Sequence, residues 1–171
     1  MRSYKVLNKQ IHSIGNYKIT PIRNVDRYDI MKWRNEQVYH LRQDKILTKV
    51  DQDIYFNNNI ASLFEVKHPN QILFSFFYND IFTGYGGLVH IDWVHRTAEI
   101  SFLMNTFEET HYFKEHWNNF LNLIEIIAFK DLKFNKVYVF AFDVRKHLYP
   151  VLKDNNYVLT DRKENYYTFN D

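Results

Sequence analysis

Apolar residues recur along this chain with two different periods, and the switches between them mark out the elements. Residues 17–22 alternate and carry Pro21 near their end, where a strand tolerates a missing donor, so they are predicted as a first strand. Asn24 or Asp26 can cap a helix running through Ile30, Met31 and Trp33 to about Glu36. A second helix is predicted after Thr48: Val50, Ile54, Tyr55, Ile60 and Ala61 fall roughly on one face, and Asp51 and Asp53 lie near its positive N-terminus. Residues 71–78 are a β-rich run, Asn79-Asp80 is a turn signal, and residues 81–91 return. After a polar turn at 92–97, residues 98–104 pair as the next antiparallel strand.

The longest helix is predicted over 115–132, where Phe120, Leu121, Ile124, Ile127 and Ala128 recur at three- and four-residue steps. Residues 136–142 are apolar on both alternating faces, the pattern of a central strand covered on both sides. A short helix over 146–155 and a hairpin of 157–160 with 166–169 close the chain. The order β-α-α-β-β-β-α-β-α-β-β predicts a single α/β domain: a mixed central sheet of about seven strands flanked by about four helices. Residues 1–16 read as an N-terminal extension and 17–171 as the domain.

Composition narrows the function classes. At 171 residues and 46% hydrophobic the chain can bury a proper core, and a net charge of +2 with mixed signs argues against a nucleic-acid or anionic-membrane surface. The absence of cysteine removes disulfides, thiol nucleophiles and thiolate metal sites. No run approaches a membrane span and MRSYKVLNKQ is no signal peptide, so the cytoplasm is the expected location. His111, Glu115 and His116 superficially suggest a zinc motif. The spacing is one residue too long, however, and positions five apart diverge around a helix, so no metal is expected.

Three of the four glycines, Gly84, Gly86 and Gly87, open the two-strand unit GYGGLVHIDWVHRTAEISFLMN. Within it, AEISFLMN (98–105) resembles the fourth strand of the GCN5-related N-acetyltransferase (GNAT) superfamily. LKFNKVYVFAF (132–142) resembles the fifth strand with its lead-in, and PVLKDNNY (150–157) the helix and turn beyond it. MKWRN (31–35) is similar to the opening of the pseudaminic-acid-pathway aminosugar N-acetyltransferase, and of ribosomal-protein alanine and aminoglycoside acetyltransferases in the same branch. The resemblance covers about residue 17 to the end.

It implies the GNAT fold, acetyl-CoA as co-substrate, and direct attack of a primary amine on the thioester carbonyl. The implied acceptor is a small-molecule amine, foremost a nucleotide-linked amino sugar, with a protein N-terminus next and a homodimer as a possible assembly. The backbone of Phe102, Leu103 and Met104 would take the pantetheine arm as an added strand and supply the oxyanion donor. One departure stands out. The family's glycine-rich diphosphate turn falls on residues 109–114 or 112–117, and neither register holds a glycine. Tyr112, Phe113 and Lys114 then offer only helix amides and one cation, together with Arg145 from the mouth of the next strand. The alternative is a GNAT-fold binding or structural protein that has lost catalysis.

Glu99 is the candidate general base, or else a cross-strand partner for a basic residue such as Arg96. His90, as the residue type best suited to moving protons at neutral pH, is a second base or an acceptor contact, if it is not a hydrogen-bonded core residue. Tyr149 is the candidate acid, one turn before Leu152, where many members of the family carry that tyrosine. Trp33, Arg34 and Asn35 end the first helix, which commonly lines the family's acceptor pocket. Arg34 could grip a phosphate and Trp33 cover a sugar ring, or both could serve helix packing and solvation.

Overall fold

Asn79 and Asp80 both adopt left-handed backbone (φ 49° and 63°), which is the two-residue turn whose twist matches paired strands, so β3 (Ile72–Tyr78) folds straight back into β4 (Ile81–Asp92). The computed structural model describes residues 2–164. Among them six strands form one sheet in chain order: β1 (His12–Ile14), β2 (Tyr17–Pro21), β3, β4, β5 (Thr97–Met104) and β6 (Lys136–Tyr138). The first five are antiparallel neighbours, and β6 joins β5 in parallel after a helical crossover. The first strand predicted at Tyr17 thus has a partner in β1. Tyr4, also upstream, is buried with its hydroxyl bonded to both backbone groups of Leu73.

The helices follow their signals closely at the start and loosely at the end. α1 (Arg27–Glu36) stops at the predicted residue, and α2 (Lys49–Ile54) begins at Thr48 with a capping box closed by Asp51. A π-helical stretch, Tyr55–Ile60, carries α2 into α3 (Ala61–Leu63). The crossover contains α4 (Thr106–His111), a break at Tyr112, then α5 (Phe113–Glu125) continued by a π-helical stretch to Asp131. The predicted face of α5 is wholly buried. Phe120 stacks on Phe102 of β5 at 4.0 Å, and Phe76 meets both rings edge-on. Each such ring contributes roughly 1.5–3 kcal/mol by burial, with aromatic geometry adding to it. α6 (Leu148–Asp154) closes the described helices, and none of them is long and apolar enough to cross a membrane.

Two predictions near the C-terminus need correction. Residues 136–142 are not a central strand: only Lys136–Tyr138 pairs, at the edge of the described sheet, and 139–142 then leaves β5. Apolar side chains on both faces here line a cavity and pack on the core, and that produces the same pattern as a covered strand. Residues 157–160 have no regular structure, with Val158 and Leu159 exposed, and the expected partner at 166–169 lies outside the described residues.

Candidate active site

β5 is paired to β4 from Thr97 to Met104, apart from a break in register at Ala98, but to β6 only through Thr97, Ala98 and Glu99. Past Glu99 the two strands part, leaving one edge of β5 free beside a cavity of about 400 Å³. Glycine makes the paired edge possible. A Cβ on Gly86 would lie 2.2 Å from the Ser101 carbonyl oxygen, so no other residue lets β4 approach β5 this closely. The cavity is lined by Ile100, Ser101 and Phe102 of β5, by residues 139–142 opposite, and by Trp117, Arg145 and Leu148 at one end. Arg34, His40, Leu41, Arg42, Gln71, Val89, His90 and Glu99 complete the lining.

Glu99 is 4% exposed and held by an ion pair with Arg42, whose guanidinium also lies 4.7 Å from the Phe140 ring centre. Arg42, not Arg96, is the basic partner. His90 has left-handed backbone (φ 48°) at the break in register between β4 and β5, a device that re-aims a side chain. Its Nε2 stands 4.0 Å from Glu99, on the solvent side. Glu99 and His90 therefore meet at one wall of the cavity.

Of the three residues at the end of α1, only Arg34 lines the cavity. It donates to Gln43 and to the Tyr85 hydroxyl, both at 2.9 Å, and no carboxylate pairs with it among the described residues. Trp33 is buried against Phe82 at 4.8 Å, serving the core. Asn35 bonds both backbone groups of Leu47 and the Gln43 side chain, pinning the loop that carries His40 and Arg42. Burial, then the charge of Arg145, push the His40 imidazole down to about 3, so it stands neutral at this end of the cavity.

The expected diphosphate segment has become helix. Asn105 caps α4 through Glu108, and each of the three glutamates of residues 106–117 has a side-chain partner within the protein. Glu108 meets His116 at 2.6 Å and Glu115 accepts from the Tyr17 hydroxyl. Glu109 accepts twice from Arg145 Nη2, at 2.7 and 2.9 Å, with both side chains buried. Lys114 pairs with Asp154, Tyr112 is exposed, and Phe113 packs beneath Arg145 and His147. Nothing in this arrangement forms a glycine-type cradle for a phosphate, whereas the cleft along the free edge of β5 fits an extended acyl-bearing arm.

Leu103 and Met104 are buried and do not line the cavity; the Met104 carbonyl accepts from Gln37 Nε2, which ties the end of β5 to the end of α1. Tyr149 also stands outside the lining. Its hydroxyl donates to Asp143 at 2.7 Å, and burial followed by this bond raises its pKa. The neighbouring Leu148 takes the cavity position, and one helical step turns Tyr149 roughly 100° away. Sequence reasoning missed Arg42, His40 and Gln71. His40 ends a single 3-10 turn (Val38–His40), Arg42 lies in the loop after it and Gln71 just ahead of β3, where no periodicity singles out a polar residue.

The sequence matches the family described as an acetyltransferase (GNAT) domain over residues 19–170. No curated protein matches it. Similar solved structures include the Vibrio cholerae spermidine N-acetyltransferase in complex with CoA and spermine, at 13% identity and TM-score 0.70, covering 81% of this chain and 79% of that one. Mutant forms of the V. cholerae spermidine/spermine N-acetyltransferase give 14% and 0.74, covering 91% and 87%. The Campylobacter jejuni N-acetyltransferase PseH gives 15% and 0.64, covering 88% and 93%. At these identities the likeness is one of fold.

Proposed function

The chain belongs to the GNAT acetyltransferase family, and from that premise we propose that it moves an acetyl group from acetyl-CoA to the primary amine of an anionic small molecule, foremost a nucleotide-linked amino sugar. The observation that carries this reading is the parting of β5 from β6 immediately after Glu99, which sets a buried carboxylate at the head of a cleft with a free strand edge. Bound acetyl-CoA supplies an acyl carbon activated by its thioester.

The protein's part follows from the residues in the cleft. The free edge of β5 from Ile100 to Phe102 orients the arm and offers backbone N–H to the acetyl oxygen. Glu99 takes the proton that the amine gives up as its nitrogen attacks, His90 passes that proton towards solvent, and the CoA thiolate expelled as the C–S bond breaks takes its proton from solvent. Arg42 fixes the carboxylate in position. No step is assigned to Tyr149.

Charge supports the choice of acceptor. Arg42 is neutralised by Glu99 and Arg145 by Glu109, which leaves Arg34 as the lining guanidinium without a carboxylate partner among the described residues. A polyamine would bring more positive charge to this wall; an acceptor phosphate or carboxylate would pair with it. The reading is tested by isothermal titration with acetyl-CoA and by acetylation assays across anionic and cationic amines. Absence of binding at millimolar acetyl-CoA would sink it in favour of a GNAT fold without catalysis.

A further inference from the structure

The segment that follows α1 is tied to β5 at two places. Gln37 Nε2 donates to the Met104 carbonyl at 2.8 Å, and Arg42 pairs with Glu99. Chain order runs from Gln37 to Arg42 as β5 runs from Met104 back to Glu99, so the segment is a strap laid antiparallel to the strand. The ties on β5 are about 17 Å apart at the rise of an extended chain. Between them His40 is buried, with its Nε2 3.2 Å from the Gln37 side-chain oxygen. His40, Leu41 and Arg42 are three consecutive residues that line the cleft. Just beyond, Asn35 holds Gln43 and Leu47, so the strap is fixed to α1 as well.

Arg42 closes the end of the cleft where the base sits. Its guanidinium bonds Glu99 on one wall and lies 4.7 Å from the ring centre of Phe140 on the other, bridging the point where β5 and the residues after β6 part. The Arg42 side chain is 40% exposed and that of Glu99 only 5%, so the guanidinium stands between the carboxylate and solvent. The second carboxylate oxygen, 4.0 Å from His90 Nε2, is left for the amine. A thioester beside a carboxylate base is open to water as well as to an amine. Water attack bonds its oxygen to the acyl carbon and breaks the C–S bond, while Glu99 takes a proton. One proton of the water then reaches the thiolate and the other leaves to solvent, giving acetate and CoA. Covering the site suppresses that side reaction. We propose that the strap Gln37–Arg42 roofs the cleft, and that Arg42 directs the acyl group to an amine in preference to water. This rests on the acetyltransferase reading above and adds to it how the thioester is kept until an acceptor arrives.

The test is thiol release from acetyl-CoA in an amine-free buffer, on the intact chain, with CoA calorimetry and thermal unfolding on the same proteins. Arg42→Ala is expected to raise this acceptor-free hydrolysis about tenfold or more while CoA still binds. Adding Glu99→Gln to Arg42→Ala should bring the rate back down, because the carboxylate takes the water's proton. Phe140→Leu keeps the ion pair and removes the ring beneath the guanidinium, so a rise of about two- to fivefold is expected. That variant gives the answer if Arg42→Ala does not fold. Hydrolysis unchanged in the folded variants, with CoA bound, would overturn the roof and leave Arg42 an anchor for Glu99, the acetyltransferase reading standing. A wild-type chain that binds neither CoA nor acetyl-CoA would remove that reading, and this inference with it.

Discussion

Arg145 offers a single nitrogen, Nη2, to both carboxylate oxygens of Glu109, at 2.7 and 2.9 Å, with both side chains more than nine-tenths buried. The pair joins the start of the crossover helices to the segment beyond β6, and His147 approaches the same carboxylate at 3.6 Å. Removing one partner strands the other as a buried charge. Glu109→Ala is therefore expected to cost about 3–5 kcal/mol, whereas replacing both, as in Glu109→Leu with Arg145→Met, should return most of it. Urea unfolding of the two variants checks this; equal losses in single and double variants would show that the pair is not a coupled unit.

Glu99→Gln keeps the shape of the side chain and removes its ability to take a proton. Turnover should fall by roughly 10²–10⁴-fold, the usual range for a positioned general base, while CoA affinity measured by calorimetry stays the same. Unchanged turnover would assign the proton to His90 or to water and reduce Glu99 to an anchor for Arg42.

Much of this was readable in the chain, and the reasons for the rest are physical. Residues 71–104 announced their hairpins because alternation and turn chemistry act locally: Asn79-Asp80 forces the return whatever surrounds it. Glu99 was singled out by its place in the segment that resembles the family's fourth strand, on the face it shares with Ser101 and Leu103. Arg42 was not, since a loop has no period to break, and its role exists only once Asn35 pins residue 47 and brings the loop over β5. Residues 139–142 misled for a related reason: an apolar wall of a cavity and an apolar strand between two layers have the same sequence. Likewise, the missing glycines signalled an altered diphosphate segment, but only the fold reveals that Glu109 fills Arg145.

Arg34→Met should separate acceptors by charge. The loss of a charged hydrogen bond, about 1.5–3 kcal/mol, predicts a KM for an anionic amine raised by roughly 10–100-fold with kcat little changed. Cationic amines should be used no worse, or somewhat better. An equal loss for both classes would mean that Arg34 serves only to hold Gln43 and the loop.

Acid should weaken the fold through His40. Its folded pKa, about 3, lies below the ordinary value of 6.5, so the unfolded chain binds this proton first. The contribution is fully present above pH 6.5 and is lost as pH falls towards 3, at up to about 1.4 kcal/mol per pH unit. Denaturant titrations at several pH values should show this slope, and His40→Gln should flatten it between those limits. A slope unaffected by the substitution would place the acid sensitivity elsewhere, His12 being the next group that burial pushes down.

Two glycines should fail for different reasons. Gly15 has left-handed backbone (φ 54°) in the β1–β2 turn with open space around it, so Gly15→Ala costs only the conformational strain, about 1–2 kcal/mol, and leaves donor binding unchanged. At Gly86 an added Cβ would meet the Ser101 carbonyl oxygen at 2.2 Å, the Phe102 Cα at 2.8 Å and the Phe120 ring at 2.9 Å. Backbone cannot yield as a side-chain tip can, so Gly86→Ala must push β4 away from β5, costing roughly 1–3 kcal/mol or more. Because Ser101 and Phe102 also form the wall of the cleft, the same change should weaken binding of CoA and pantetheine together. Thermal unfolding and calorimetry on both variants check the contrast. Loss of binding in Gly15→Ala, or full binding in Gly86→Ala, would break the link between strand spacing and the cleft.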